Sequence, residues 1–83
     1  MNQFDVWLRA VGAYTKLHVE GVANADWLRR QLEHHGFRCA APLMLEGTER
    51  CVFRVQHTAQ MQRTAVREFI EGLPEVHAMH APE

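Results

Sequence analysis

The sequence predicts an α+β sandwich: a four-stranded antiparallel sheet of strand order 4-1-3-2, two helices on one of its faces, and an N-terminal helical extension. Three observations carry this expectation. Apolar residues alternate with polar ones at Leu17 and Val19, and again at Cys51, Phe53 and Val55, the period-2 pattern of half-buried strands. Residues 25–32 and 65–73 instead repeat apolar side chains at three- and four-residue spacing, the stripe of a helix lying on a sheet. The segments run strand, helix, strand, strand, helix, strand, with Asn24 and Gly36 punctuating the first half and Thr58 and Gly72 the second.

In chain order, residues 1–14 form the extension, where Phe4, Trp7 or Leu8, and Val11 have helical spacing. Such a helix would lie across the open sheet face or dock on a partner; the alternative is a partly ordered extension. Residues 15–83 form the domain. Its first strand, TKLHVEG at 15–21, turns Leu17 and Val19 inward and Lys16, His18 and Glu20 outward. Asn24 then fits an N-cap, Asp26 the electropositive first turn, and Gly36 a left-handed C-terminal cap, with Ala25, Leu28, Leu32 and His35 on the buried stripe.

From Phe37 the alternation returns, with Phe37, Cys39, Ala41, Leu43 and Leu45 on one face and Arg38, Ala40, Pro42, Met44 and Glu46 on the other. Pro42 lacks a ladder donor, which marks an edge strand. A turn at residues 46–49 leads to a third strand, where Cys51, Phe53 and Val55 oppose Val52, Arg54 and Gln56 in direction. Parity then sets Leu45 opposite Cys51, requires an odd loop or a bulge, and brings Cys39 near His57. The cysteines fall about six strand positions apart, roughly 20 Å, too far for a disulfide. Thr58 can cap a second helix with Met61, Ala65, Val66, Phe69, Ile70 and Leu73 on its stripe, ended by Gly72 and Pro74. Residues 75–80 make a last strand.

This order is the split βαβ, ferredoxin-like plan. The Gly21 corner within it resembles two families. One is the heavy-metal-associated domain, whose two metal cysteines would fall at Asn24 and Trp27; neither is a thiolate ligand, so the metal function that the resemblance implies lacks its motif. The other is the ACT-type regulatory domain, which implies a small effector at this turn and a dimer interface. Gly21 matches that turn, but the Asp-x-Pro-Gly-like pattern is replaced by Glu20-Gly21-Val22-Ala23-Asn24. Acylphosphatase shares the topology, and its Gly-rich phosphate loop has no counterpart in this sequence.

Composition narrows the function further. Eighty-three residues make one small domain, and 47% hydrophobic and 23% charged residues suit a globular chain. The N-terminal stretch has no long apolar run, so neither a secretory signal nor a membrane span is expected and a cytoplasmic location is the default. A net charge of −1 gives no overall attraction to phosphate backbones or anionic lipid. RNA-binding sheets stack bases on exposed aromatics of their central strands. The aromatic recognised on those strands, Phe53, shares the inward parity of Cys51 and Val55, so nucleic acid is not an expected partner.

Six histidines invite a metal reading. His34 and His35 suit a helix C-terminus, while His18 and His77 share the open face if the first and last strands are neighbours; with Glu20 as the one further ligand, no metal and no cofactor are expected. There is no nucleophile beside a His and an orienting acid, no paired core carboxylates and no phosphate loop. The expected function is a non-enzymatic binding or protein-interaction module that self-associates through the sheet as a homodimer or holds a protein partner. ACT-like sensing of a small effector is the alternative, and a small enzyme or metal carrier the next. The candidate ligand-binding residues are Gly21, Asn24, His18, Arg54 and His77, within an open face of Lys16, His18, Glu20, Arg38, Met44, Val52, Arg54, Gln56, His77 and Met79.

Overall fold

The computed structural model describes residues 3–44, 47, 49–59 and 62–80. Eight elements follow in order: β1 (Phe4–Val11), β2 (Tyr14–Glu20), α1 (Val22–His34), β3 (Arg38–Cys39), β4 (Leu43–Met44), β5 (Arg50–Gln56), α2 (Arg63–Glu71) and β6 (Val76–His80). The strands form one mixed sheet of order β3-β5-β2-β1-β6, with β4 also paired to β5. Its pairs are antiparallel except β1 with β6, which run parallel.

The N-terminal segment overturns one expectation: its described part is a strand, not a helix. Phe4, Trp7, Leu8 and Val11 fit a helix, but Phe4, Val6, Leu8 and Ala10 fit period 2 equally well, and so short a stretch cannot choose between them. Tertiary pairing chooses. Gly12 takes φ 58 in a two-residue turn that sets Val11 opposite Tyr14 and zips β1 onto β2. β1 thereby separates β2 from β6, and the expected four-stranded antiparallel sheet of order 4-1-3-2 is replaced by a mixed sheet with an extra strand in its middle.

One face of the sheet carries the core. Val6, Leu8, Leu17, Val19, Cys51, Phe53, Val55 and Val76 share one direction and form a single buried cluster with Ala25, Leu28 and Leu32 of α1 and Val66 and Ile70 of α2. Helix α1 starts at Val22 with Gly21 in the cap position, so Asn24 lies inside the first turn and is not the N-cap. The other end closes as expected: Gly36, at φ 100, follows His35, and Gly36 N–H and Phe37 N–H donate to Glu33 and Leu32 carbonyls at 3.0 Å each. His35 is exposed yet its ring stacks on Phe37, centroids 6.0 Å apart, and lies tilted against Phe69 at 4.5 Å. Helix α2 begins at Arg63, with Gln62 in the cap position in place of Thr58; Met61 of the expected stripe lies outside the described residues.

The edge next to β5 is split. Arg38 and Cys39 pair with Gln56 and Val55, whereas Leu43 and Met44 pair with Val52 and Cys51, so the register slips by one between β3 and β4. Pro42, unable to donate to the ladder, lies in that break. The slip reverses parity for β4: Leu43 sits opposite Val52 of the open face, and Met44, expected there, sits opposite Cys51. Both are exposed, at 70% and 57%. The expected partner of Cys51, Leu45, and residues 46 and 48 of the turn lie outside the described residues. Cys39 lies opposite Val55 and not near His57, so the two free cysteines are about four strand positions apart, roughly 13 Å, still beyond disulfide reach.

Candidate site on the open sheet face

The two helices cover one side of the sheet, and what the other side offers follows from strand parity. Four rows of side chains cross it. The first holds His77 and Asp5 at one flank and Glu20 opposite Arg50 at the other. The second is Met79, Trp7, His18, Val52 and Leu43, a largely apolar band. The third is Arg9, Lys16 and Arg54, and the fourth Val11, Tyr14, Gln56 and Arg38. Inserting β1 therefore contributes Trp7 to the middle of the face and Arg9 to its flank, one position past the last β6 pair.

Charge is unevenly shared. Arg9, Lys16, Arg38, Arg50 and Arg54 lie on this face against two carboxylates, Asp5 and Glu20, a surplus of three cations on a chain of net charge −1. Asp5 is engaged with His77, Oδ1 to Nδ1 at 3.0 Å. Among the described residues Arg9, Lys16, Arg38 and Arg54 make no ion pair, whereas on the helices Arg29 bonds Glu33 and Asp26 at 2.6 and 3.0 Å and Arg30 approaches Asp26 at 3.2 Å. The acids of the helical side are thus largely spent on helical cations, and the sheet face keeps its positive potential.

Two aromatic rings are interleaved with these cations. The Arg50 guanidinium lies 4.3 Å from the Trp7 ring centroid and that of Arg54 5.1 Å from the Tyr14 ring, both within cation–π range. Two clefts adjoin the Arg54–Tyr14 pair. One of about 360 Å³ is lined by Tyr14, Arg38, Arg54 and Gln56, and one of about 390 Å³ by Tyr14, Lys16, Leu43, Val52 and Arg54, with Ala40 shared between them. They lie on either side of Arg54 along β5.

His18 reports on this environment. It is half-buried between Trp7 and Val52, and its enclosed Nδ1 has no hydrogen-bond partner among the described residues. Burial chiefly, and then the positive charges of Lys16 and Arg50, pull its pKa below the usual histidine value, so the ring is neutral at pH 7. His77 is not brought to it: β1 lies between their strands, and His77 aligns with Asp5 while His18 aligns with Trp7. No group of three or more His, Cys, Asp or Glu able to hold a metal occurs among the described residues. Of the five candidate residues, the sheet face gathers His18 and Arg54 at its centre and His77 at its flank.

Gly21 and Asn24 lie apart, and their chemistry is taken up by the corner itself. Gly21 sits at φ 88 and its N–H donates to the Glu49 carbonyl at 2.8 Å, while the Asn24 side-chain amide donates to the Glu20 carbonyl at 2.9 Å. Those bonds close the passage from β2 into α1 without any ligand.

On the helical side, a cavity of about 290 Å³ is lined by Leu8, Arg9, Ala10, Thr15, Arg63, Arg67 and His80. The Thr15 hydroxyl, 3% exposed, bonds His57 Nε2 at 2.6 Å, which satisfies a buried polar group. His80 bonds Glu71 at 3.1 Å, and Arg67 approaches the same carboxylate at 3.7 Å.

The residues missed by sequence reasoning are Trp7, Arg9, Tyr14 and Arg50. A signal existed for Trp7 and Arg9: the alternation of Asp5, Trp7 and Arg9 against Val6, Leu8 and Ala10, read as a strand, points both outward. No family model, curated protein or solved structure matches the chain, so the site is read from its own residues. No helix among the described residues is long and apolar enough to cross a membrane.

Proposed function

We propose that this chain is a non-enzymatic binding module whose working surface is the open face of its sheet and whose partner is anionic. The observation that carries this reading is a set of four cations, Arg9, Lys16, Arg38 and Arg54, that make no ion pair among the described residues and share one uncovered face with Trp7 and Tyr14. A protein at −1 overall has no global attraction to polyanions; only segregated charge provides one. The test is retention on phosphocellulose at pH 7.5. Lys16→Gln, Arg38→Gln and Arg54→Gln together should abolish retention, while Arg30→Gln, Arg63→Gln and Arg67→Gln, an equal change in net charge, should leave it. Equal behaviour of the two triple variants refutes the reading.

Self-association is a second reading, supported by the outer edge of β6, which has no strand partner among the described residues and so offers unpaired backbone groups. Like charges oppose a face-to-face dimer, which moves the expected contact from the face to that edge. Sedimentation equilibrium decides: a dimer that persists at high salt supports edge pairing, and a monomer at high concentration removes it. The ACT-like alternative predicts that amino acids perturb residues 21–26, and it has less support because the Gly21 N–H and the Asn24 side-chain N–H are already bonded.

A further inference from the structure

The partner of this face is inferred here from chemistry that goes beyond charge, and the inference rests on the reading just given. We propose that the open sheet face binds single-stranded nucleic acid, with bases stacked against Trp7 and Tyr14 and phosphates held by Arg9, Lys16, Arg38 and Arg54.

A bare polyanion needs cations alone; a single strand needs cations interleaved with flat apolar platforms. This face has both. Trp7 stands in the apolar band beside Met79, His18 and Val52, one row from the line of Arg9, Lys16 and Arg54, and Tyr14 stands in the row beyond that line. Strand geometry puts Trp7 and Tyr14 about 14 Å apart with the cation row between them. A chain crossing the face thus meets aromatic, cationic and aromatic rows in turn. The clefts beside Arg54, of about 360 and 390 Å³, give flat groups a place to enter next to the Tyr14 ring. Arg50 and Arg54, already lying over aromatic rings, add planar guanidinium surfaces on which bases stack.

The geometry also argues against the other anionic partners. Duplex DNA is read by an element that enters a groove, and this face is a sheet whose central residues carry no protruding helix or ribbon. An anionic membrane would favour a broad apolar surface projecting beyond the charges, but of the exposed large apolar residues Val22 lies at the helix start and Met44 sits opposite inward-facing Cys51, which leaves Leu43 alone on this face, in the band beside the cation row. Neutral His18 suits a stacking surface too, since the ring adds no like charge between Trp7 and Lys16.

The test is fluorescence anisotropy with labelled decauridine and decathymidine, from 25 to about 200 mM salt, with a 20-base-pair duplex and phosphatidylserine vesicles as competitors. Single strands should bind saturably, with log affinity falling against log salt at a slope of about −2 to −3, given about −0.7 per neutralised phosphate. Lys16→Gln or Arg54→Gln should each make that slope shallower by about 0.7. Trp7→Ala and Tyr14→Ala should each weaken binding about fivefold or more with the slope unchanged, as loss of a stacking platform requires. Trp7→Phe should retain most of the affinity, which separates stacking from a folding defect, and Tyr14→Ala tests the same point at a second position. Aromatic variants that bind like the parent, or a duplex or vesicle that competes as well as the single strands, overturn the inference. Retention on phosphocellulose without oligonucleotide binding overturns it and leaves the anion-binding face standing; loss of both overturns both.

Discussion

Replacing Leu8 by Ala tests whether β1 is integral to the domain. Leu8 is 4% exposed, faces the core, and lies between Leu17 of β2 and His80 of β6 in the ladder. Removing a buried Leu side chain costs about 2–5 kcal/mol, from lost transfer energy and the cavity left behind. A domain of 83 residues has a total stability of roughly 4–12 kcal/mol. Leu8→Ala should therefore remove a large share of the whole, whereas truncating a residue on a separable extension costs under about 0.5 kcal/mol. Equilibrium urea unfolding followed by tryptophan fluorescence measures it. With a slope of about 1 kcal/mol per molar, the midpoint should fall by roughly 2–5 M with the slope unchanged. Arg9→Gln, one position along and exposed, is the control and should move the midpoint little. A Leu8→Ala midpoint within about 0.5 M of the parent would refute the placement of β1 in the sheet.

Three further outcomes follow from single residues. Gly21→Ala forces a side chain into φ 88, and should cost about 1–3 kcal/mol in thermal or urea unfolding; an unchanged stability would contradict the corner geometry. Cys39 is half-buried, and that burial pushes its thiol up to about 11. Its alkylation by iodoacetamide should therefore be slow at pH 8 and accelerate through pH 9–11, and fast labelling of native protein at pH 8 would count against this. The lowered pKa of His18 means that the folded state binds fewer protons than the unfolded state just below pH 6.5, so its contribution to stability is present at neutral pH and is lost as the pH falls through that region. His18→Gln should flatten stability against pH between 7 and 5, and an unaltered profile would show that His18 is not the group responsible.

The helices were legible because their signals agree: the stripe Ala25, Leu28, Leu32 and the glycine at 36 pointed to one helix and its end, and Val66 and Ile70 to another. β2 and β5 were legible because one side of each is core and the other is not, which leaves clean alternation. β1 was not, because eight residues whose apolar positions fit both periods carry no local decision; the parallel pairing with β6, sixty-five or more residues away, makes it. That one reversal propagated to the candidate site. It separated His18 from His77 and brought Trp7 and Arg9 onto the face; Phe53 faces the core as expected, and the aromatics of the open face are instead Trp7 of β1 and Tyr14 at the start of β2, which the expected strands did not include. The one-residue slip at Pro42 had a smaller effect, exchanging the directions of Leu43 and Met44, and nothing in the alternation of 37–45 encodes it.

The open sheet face is the proposed anion-binding surface. Amide NMR of the labelled protein titrated with inorganic polyphosphate tests it most directly, because the probe carries charge without bases and every strand reports separately. Binding on the open face should give saturable shifts at Trp7, Arg9, Lys16, His18 and Arg54, with the Trp7 indole N–H moving and the Trp27 indole N–H still. Shifts confined to residues 21–26 or to α1 and α2, or no shifts at all, would contradict it.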